Sequence, residues 1–371
     1  MCTVTLQEPG SKNGRWQEEP MLAARLHGAH DLRVEECPDP APKPGEALVR
    51  VACGGICGSD LSYLNKGGVG DFRVREPLTL GHEVSGTVVE LAPDPDWPAP
   101  DGVTVGARVA INPSRPCLHC GFCRAGRANL CRSMRFLGSA ALMPHVQGAF
   151  SQTVAVRADQ CVPVPDAMAF RVAACAEPLA VALHGVRRAG RLPGRHVLVA
   201  GAGPIGLLCL AAALHAGAAS VTVTDLFEAP LRIARSMGAA DAVDVRAEPE
   251  RLAQLAASRG GFEVALEATG SAASVVGMPA LMRPGGRIVQ LGMLPPGAVP
   301  LPVNLLMARE IDLVGSFRFH EEFGSAVEAL ASGRIDVAPI LSGSFPLCDA
   351  DAAFALAGDR QRAVKVHLDI G

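Results

Sequence analysis

The stretch Gly201-Ala-Gly-Pro-Ile-Gly206 follows the apolar run HVLVA and opens a helical pattern that reaches about residue 217. Glycines at that spacing are a weak signal alone. Here Asp225 closes the next apolar run, SVTVTD, nineteen residues after Gly206. A strand, a glycine-rich turn, a helix and an acid at that distance point to a βαβ unit that holds a dinucleotide. The glycines let the backbone approach a pyrophosphate, and the helix N-terminus stabilises its charge. Gly201, Gly203, Pro204, Ile205 and Gly206 are therefore the candidate cofactor contacts, with Asp225 accepting hydrogen bonds from the ribose hydroxyls. That acid repels a 2′-phosphate, and Leu226 and Phe227 follow it instead of arginine, so NAD is expected rather than NADP.

The alternation continues with a helix ending near Met237 and the runs ADAVDV, FEVALEA, GRIVQLG and IDLVGS. Six apolar strands with intervening helices make an α/β fold with a doubly wound parallel sheet. Upstream, from about 21 to 115, the pattern is different. Short β-runs (ALVRVAC, EVSGTVVEL, RVAINP) are punctuated by PDPAPKPGE and APDPDWPAPDG, which reads as an all-β module. The chain's 371 residues suffice for two domains. The tail after about 315 returns to mixed structure and is expected to pack back on the first module.

A formal charge of -3 without a long basic run gives no reason to expect nucleic acid or an anionic membrane surface as partner. Residues 1–20 are polar, lack an apolar signal core and read as a loose leader, and Met21 opens the first strand pattern, MLAARLHG. The uncharged run Val197 to Leu214 is interrupted by Gly201, Gly203, Pro204 and Gly206, so it reads as strand, turn and helix and not as a membrane span. A soluble cytoplasmic protein is expected. Disulfides do not persist in that compartment. Of the twelve cysteines, eight are scattered (Cys2, Cys37, Cys53, Cys57, Cys161, Cys175, Cys209 and Cys348), and most of these read as small buried hydrophobes.

The other four form CLHCGFCRAGRANLC, with Cys117, Cys120, Cys123 and Cys131 spaced C-x2-C-x2-C-x7-C. Four thiolates from one loop close a tetrahedral site with no open position, as structural zinc requires. An iron–sulfur cluster uses similar ligands, and spacing does not separate the two. A glycine- and arginine-rich loop offers unliganded cysteines no core to fill. A further set is dispersed over GGICGSD (54–60), GHE (81–83) and AEPLAVALHG (176–185). Cys57, His82 and one or both of Glu83 and Glu177 would make a mixed sulfur, nitrogen and oxygen set. Such a set suits a catalytic zinc with one position open to water or substrate.

These motifs, in this order and from about residue 21 onward, resemble the zinc-dependent medium-chain dehydrogenases. The resemblance implies a GroES-like β-rich catalytic domain split around a Rossmann domain. Its first part would span 21–174 with a structural zinc lobe at about 113–134, the NAD-binding domain 175–314, and the second catalytic part 315–371. Glu177, standing where alcohol dehydrogenases carry a cysteine ligand, is similar to the polyol (sorbitol-type) branch. INPSRPCLHC, MRFLGSA, PHVQGAF and GSFRF resemble L-idonate 5-dehydrogenases within it.

The implied activity is oxidation of a secondary alcohol of a sugar acid or polyol with hydride transfer to NAD. L-Idonate to 5-keto-D-gluconate comes first, with sorbitol or xylitol as the alternative. Zinc on Cys57 and His82 would lower the pKa of the substrate hydroxyl, with Glu83 or Glu177 as third protein ligand. Ser59 matches the family's proton relay, and Asp60 would orient His82. Tyr63 and Arg318 match substrate-pocket positions, and Arg318 also lies near the cofactor there. Arg135 is the first candidate to meet a substrate carboxylate, ahead of Arg318. His184 reads as structural. By analogy with the branch the chain forms a homo-oligomer, a tetramer or dimer. Metal content separates this reading from two others: about two zinc ions per chain for the dehydrogenase, one for a non-enzymatic zinc module, none for a zinc-free quinone reductase.

Overall fold

The computed structural model describes residues 20–371. The expected leader, 1–20, lies outside the described residues up to position 19.

Six strands form one parallel sheet, in the order Asp241–Asp244, Ser220–Asp225, His196–Ala200, Phe262–Glu267, Met282–Gln290 and Asp312–Gly315. The chain winds outward in both directions from His196–Ala200. A crevice therefore opens at the C-terminal ends of that strand and Phe262–Glu267, where ligands bind in such sheets. Both faces of these central strands are covered, which is why they read as continuous apolar runs: Val197, Leu198, Val199, Val264, Ala265 and Leu266 are all buried. The run Val197 to Leu214 divides into strand His196–Ala200 and helix Pro204–His215. Among the described residues no helix is long and apolar enough to cross a membrane.

The second large sheet is built mainly from Glu46–Gly55, Glu83–Leu91, Arg108–Ile111 and Thr153–Arg157. The tail completes it. Lys365–Asp369 pairs antiparallel with Glu46–Gly55, with His367 opposite Gly55, and parallel with Leu341–Pro346. Because Gly55 also pairs with Glu83, this register brings the tail strand beside the start of Glu83–Leu91.

One expectation is corrected. The first module is not all β, because helix Gly58–Lys66 follows directly on strand Glu46–Gly55. The Asp60 carboxylate accepts the Cys57 N–H at 2.9 Å and caps the first turn, and Gly67, at φ 62°, ends the helix. The GGICGSD segment is thus a strand-to-helix corner. Of the scattered cysteines, Cys53, Cys161, Cys175 and Cys209 are buried, as expected of small hydrophobes, while Cys348 is exposed.

Candidate active site

The glycine turn leads from strand His196–Ala200 into helix Pro204–His215, with Pro204 in the first turn. Gly201 sits at φ +96°, and a Cβ on Gly206 would lie 1.8 Å from the Gly201 carbonyl, so neither position admits a side chain. A Cβ on Gly203 would meet nothing within 4 Å, which leaves open space above the helix N-terminus. The Asp225 carboxylate accepts the N–H groups of Ala202 at 2.7 Å, Leu226 at 2.7 Å and Phe227 at 3.1 Å. It thereby ties the end of its strand to the glycine turn. A cavity of about 690 Å³ runs from Asp225, Phe227 and Pro204 across to Cys57, Glu83 and Lys365. That volume and shape fit a dinucleotide whose far end reaches the cysteine.

At that end two segments converge. Cys57 comes from the strand-to-helix corner, and His82 and Glu83 come from the start of strand Glu83–Leu91. One ligand atom from each of the three lies within 4.8 Å of the others. Asp60, fully buried, accepts Gly81 N–H at 3.3 Å and stands 3.7 Å from His82 Nδ1, so it holds the ring from behind. Burial pushes the Cys57 thiol up to about 12, with Glu83 adding to the effect, so a thiolate there needs a cation beside it. Glu83 is itself neutralised, because Lys365 Nζ donates to both its oxygens. Glu177, in the first turn of helix Ala176–Ala189, is buried and falls outside the three-ligand set. Burial pushes its carboxyl up to about 8 against the opposing pull of His82.

The cysteine lobe is a separate site. Cys117 and Cys123 sulfurs stand 4.0 Å apart and those of Cys120 and Cys123 3.5 Å apart, far beyond a disulfide bond. Four sulfurs at about 2.3 Å from a tetrahedral zinc would be about 3.8 Å from one another. Backbone N–H groups also point at the sulfurs, from Cys120 to Cys117 at 3.4 Å and from Ser133 to Cys131 at 3.4 Å. Backbone donors at Cys123 and Arg132 pull the Cys120 thiol down to about 6, towards the thiolate a metal takes.

Residues 43–166 match the alcohol dehydrogenase GroES-like domain, and residues 204–332 match the zinc-binding dehydrogenase domain. The L-idonate 5-dehydrogenase (NAD(P)(+)) of Escherichia coli (strain K12) is 41% identical over 324 residues, 86% of this chain and 91% of that protein. The sorbitol dehydrogenase of Gallus gallus is 38% identical over 353 residues, 94% of this chain and 96% of that protein. The crystal structure of L-idonate 5-dehydrogenase from E. coli str. K-12 substr. MG1655 superposes with a TM-score of 0.88 at 38% identity, over 95% of this chain and 98% of that one. The chain belongs to the zinc-binding dehydrogenase family. Within it the relatives define the polyol dehydrogenase branch, and zinc and NAD are the cofactors consistent with that family.

Other expected site residues of this dehydrogenase fall around the same centre. Ser59, two residues after Cys57 in the first turn of helix Gly58–Lys66, helps hold the Cys57 thiol down against burial. The Phe136 ring lies 5.5 Å from the His82 ring, and the Arg318 guanidinium sits 4.3 Å over Phe136. Burial lowers the Arg318 pKa, while Glu177 and Tyr63 pull it back up. Tyr63 is buried with its hydroxyl oxygen accepting Ala140 N–H at 3.0 Å, so it anchors a loop behind the cleft. His184 is structural: Nδ1 meets Glu322 Oε1 at 3.0 Å.

In the two-residue strand Arg135–Phe136, successive side chains point to opposite faces, so with Phe136 turned to His82 Arg135 turns away. It lines a different groove with Arg25 and Arg115, and that groove includes neither Cys57 nor His82. Arg318, over the Phe136 ring, is the cation placed one ring from His82.

Lys365 and Phe136 are site residues that sequence reasoning missed. A lysine inside the apolar run AVKVHL was the available signal for the first, because a buried lysine must find a partner.

Proposed function

We propose that this dehydrogenase oxidises a secondary alcohol of a sugar acid with NAD, with C5 of L-idonate as the preferred site. Cys57, His82 and Glu83 would hold the catalytic zinc, and Cys117, Cys120, Cys123 and Cys131 the structural one. Zinc there would supply a Lewis acid that lowers the pKa of the substrate hydroxyl, while the hydride would leave from the carbon bearing that hydroxyl for NAD. Asp60 keeps the His82 ring oriented, and Ser59, beside Cys57, carries the hydroxyl proton away. Glu177 adds a buried carboxyl behind the site. Gly201 to Gly206 approach the pyrophosphate, and Asp225 takes the adenosine ribose and disfavours a 2′-phosphate. This reading divides the chain near 174/175 and 314/315.

The observation that carries the sugar acid is Arg318. Its guanidinium is half-buried between the rings of Phe136 and Phe317, at 4.3 and 4.9 Å, one ring away from His82. Among the described residues no hydrogen bond or ion pair engages that guanidinium, so its donors remain for a substrate carboxylate. The identity to the E. coli L-idonate 5-dehydrogenase supports the same choice. NADH formation from L-idonate, sorbitol, xylitol and threonine tests it. The expected result is a kcat/KM for L-idonate at least about ten-fold above either polyol, as a charge-assisted pair would give. Sorbitol or xylitol in first place would move the enzyme to the neutral-polyol reading.

A further inference from the structure

The cysteine lobe touches the substrate side of the site twice. It is bracketed by two short strands, Ser114–Arg115 before Cys117 and Arg135–Phe136 after Cys131, which pair antiparallel with Phe136 opposite Ser114. Closing the lobe therefore fixes the ring that faces both His82 and Arg318. The second contact is at the lobe's other end. Asn129, in the turn Ala128–Leu130, donates from Nδ2 to the Phe317 carbonyl at 3.1 Å, a link across 188 positions of sequence.

That carbonyl precedes Arg318, whose φ of +55° lies in the left-handed region. A long side chain stays there only where its surroundings hold it. Phe319, the following residue, is buried and anchors the segment on its far side. On the near side Phe317 is exposed, and the bond from Asn129 is what pins its peptide plane.

We propose that Asn129 is a positioning residue for substrate: through the Phe317 carbonyl it sets the backbone of Arg318, so the lobe tunes substrate affinity as well as stability. The inference rests on the reading of Arg318 as the carboxylate partner. Its structural half is tested separately from that reading.

The experiment uses full-length, zinc-loaded enzyme carrying Asn129→Leu, which keeps the volume and removes the donor, with Asn129→Ala as a second variant and Asn129→Gln to restore a donor. Amide hydrogen exchange of residues 316–320 is measured with KM and kcat for L-idonate, KM for NAD, zinc content and Tm. Loss of one hydrogen bond should speed exchange in that segment and raise KM for L-idonate about three- to ten-fold. The KM for NAD, the zinc content and Tm should hold, and Asn129→Gln should recover part of the loss.

Unchanged exchange at unchanged Tm overturns the proposal. So does faster exchange with an unchanged KM, if Arg318→Met does raise that KM. If Arg318→Met leaves the KM for L-idonate unaltered while exchange still responds to Asn129, the carboxylate reading of Arg318 falls and the backbone link stands.

Discussion

Lys365 donates to both carboxylate oxygens of Glu83, at 2.9 and 2.6 Å, and also to the Ile56 carbonyl at 3.1 Å. Each side chain of the pair is 1% exposed. Burial alone would lower the lysine's pKa, and Glu83, with Cys57 behind it, more than offsets this and raises it. The carboxylate grouped with Cys57 and His82 is thus charge-paired from the tail strand, at the floor of the cleft.

Removing only the lysine strands a buried carboxylate. Lys365→Met should lower apoprotein stability by about 3–5 kcal/mol, the usual cost of breaking one side of a buried pair. The double variant with Glu83→Gln should recover most of it. Zinc should stabilise Lys365→Met more than the parent, since the metal then supplies the missing positive charge. Denaturant titrations with and without zinc check this, and equal losses in the single and double variants would show that the two residues are not coupled.

The lobe should behave as a structural site. Cys120→Ser is expected to remove about one zinc per chain and to lower Tm, because binding at a closed four-thiolate site contributes directly to folding. Metal analysis combined with a melting curve decides it. Full zinc content at an unchanged Tm would show that the four sulfurs do not act as one site.

The proposed role of Asp225 in cofactor choice is open to direct test. Asp225→Ala should raise KM for NAD and narrow its advantage over NADP, as the ribose loses a charged acceptor and a 2′-phosphate loses a repulsive neighbour. The variant also frees the Ala202, Leu226 and Phe227 N–H groups that the carboxylate now accepts. Some loosening of the glycine turn is therefore expected for both cofactors. An unchanged ratio of the two kcat/KM values would remove Asp225 from the ribose site.

Away from the cleft, burial would raise the Glu322 carboxyl, but hydrogen bonds from His184 Nδ1 and the His320 N–H outweigh it and bring it down to about 2. A depressed acid stabilises the fold above its unfolded pKa, 4.5 here, and that contribution fades as pH falls towards about 2. Glu322→Gln should therefore cost on the order of 2 kcal/mol near neutral pH. The gap from the parent should be flat above about pH 5.5 and close on acidification below the unfolded pKa. A gap that widens on acidification would reverse the sign of this account.

How far the sequence reached depended on how local each signal was. The turn at Gly201 to Gly206 and its acid lie within one βαβ unit, so spacing alone located them. The four lobe cysteines also sit in one loop. Cys57, His82 and Glu83 come from two segments, and only the pairing of Gly55 with Glu83 explains why they meet. Lys365 arrives from a strand whose partner, Glu46–Gly55, lies near the other end of the chain, and no periodicity reports such a pairing. Helix Gly58–Lys66 is short, and its N-cap is a cysteine, outside the usual capping residues. Of the neighbours Arg135 and Phe136, it is Phe136 that faces His82, and that orientation follows from the register with Ser114–Arg115, which no sequence pattern reports.

Zinc content and NAD-dependent oxidation of L-idonate, measured together on the parent and on Cys57→Ser, decide whether Cys57 holds a catalytic zinc apart from the lobe. About two zinc ions per chain are expected in the parent. In the variant about one is expected, with NADH formation abolished and Tm held by the intact lobe. Undiminished turnover in Cys57→Ser, or a parent that binds only the lobe's metal and still reduces NAD, would contradict a catalytic zinc at Cys57.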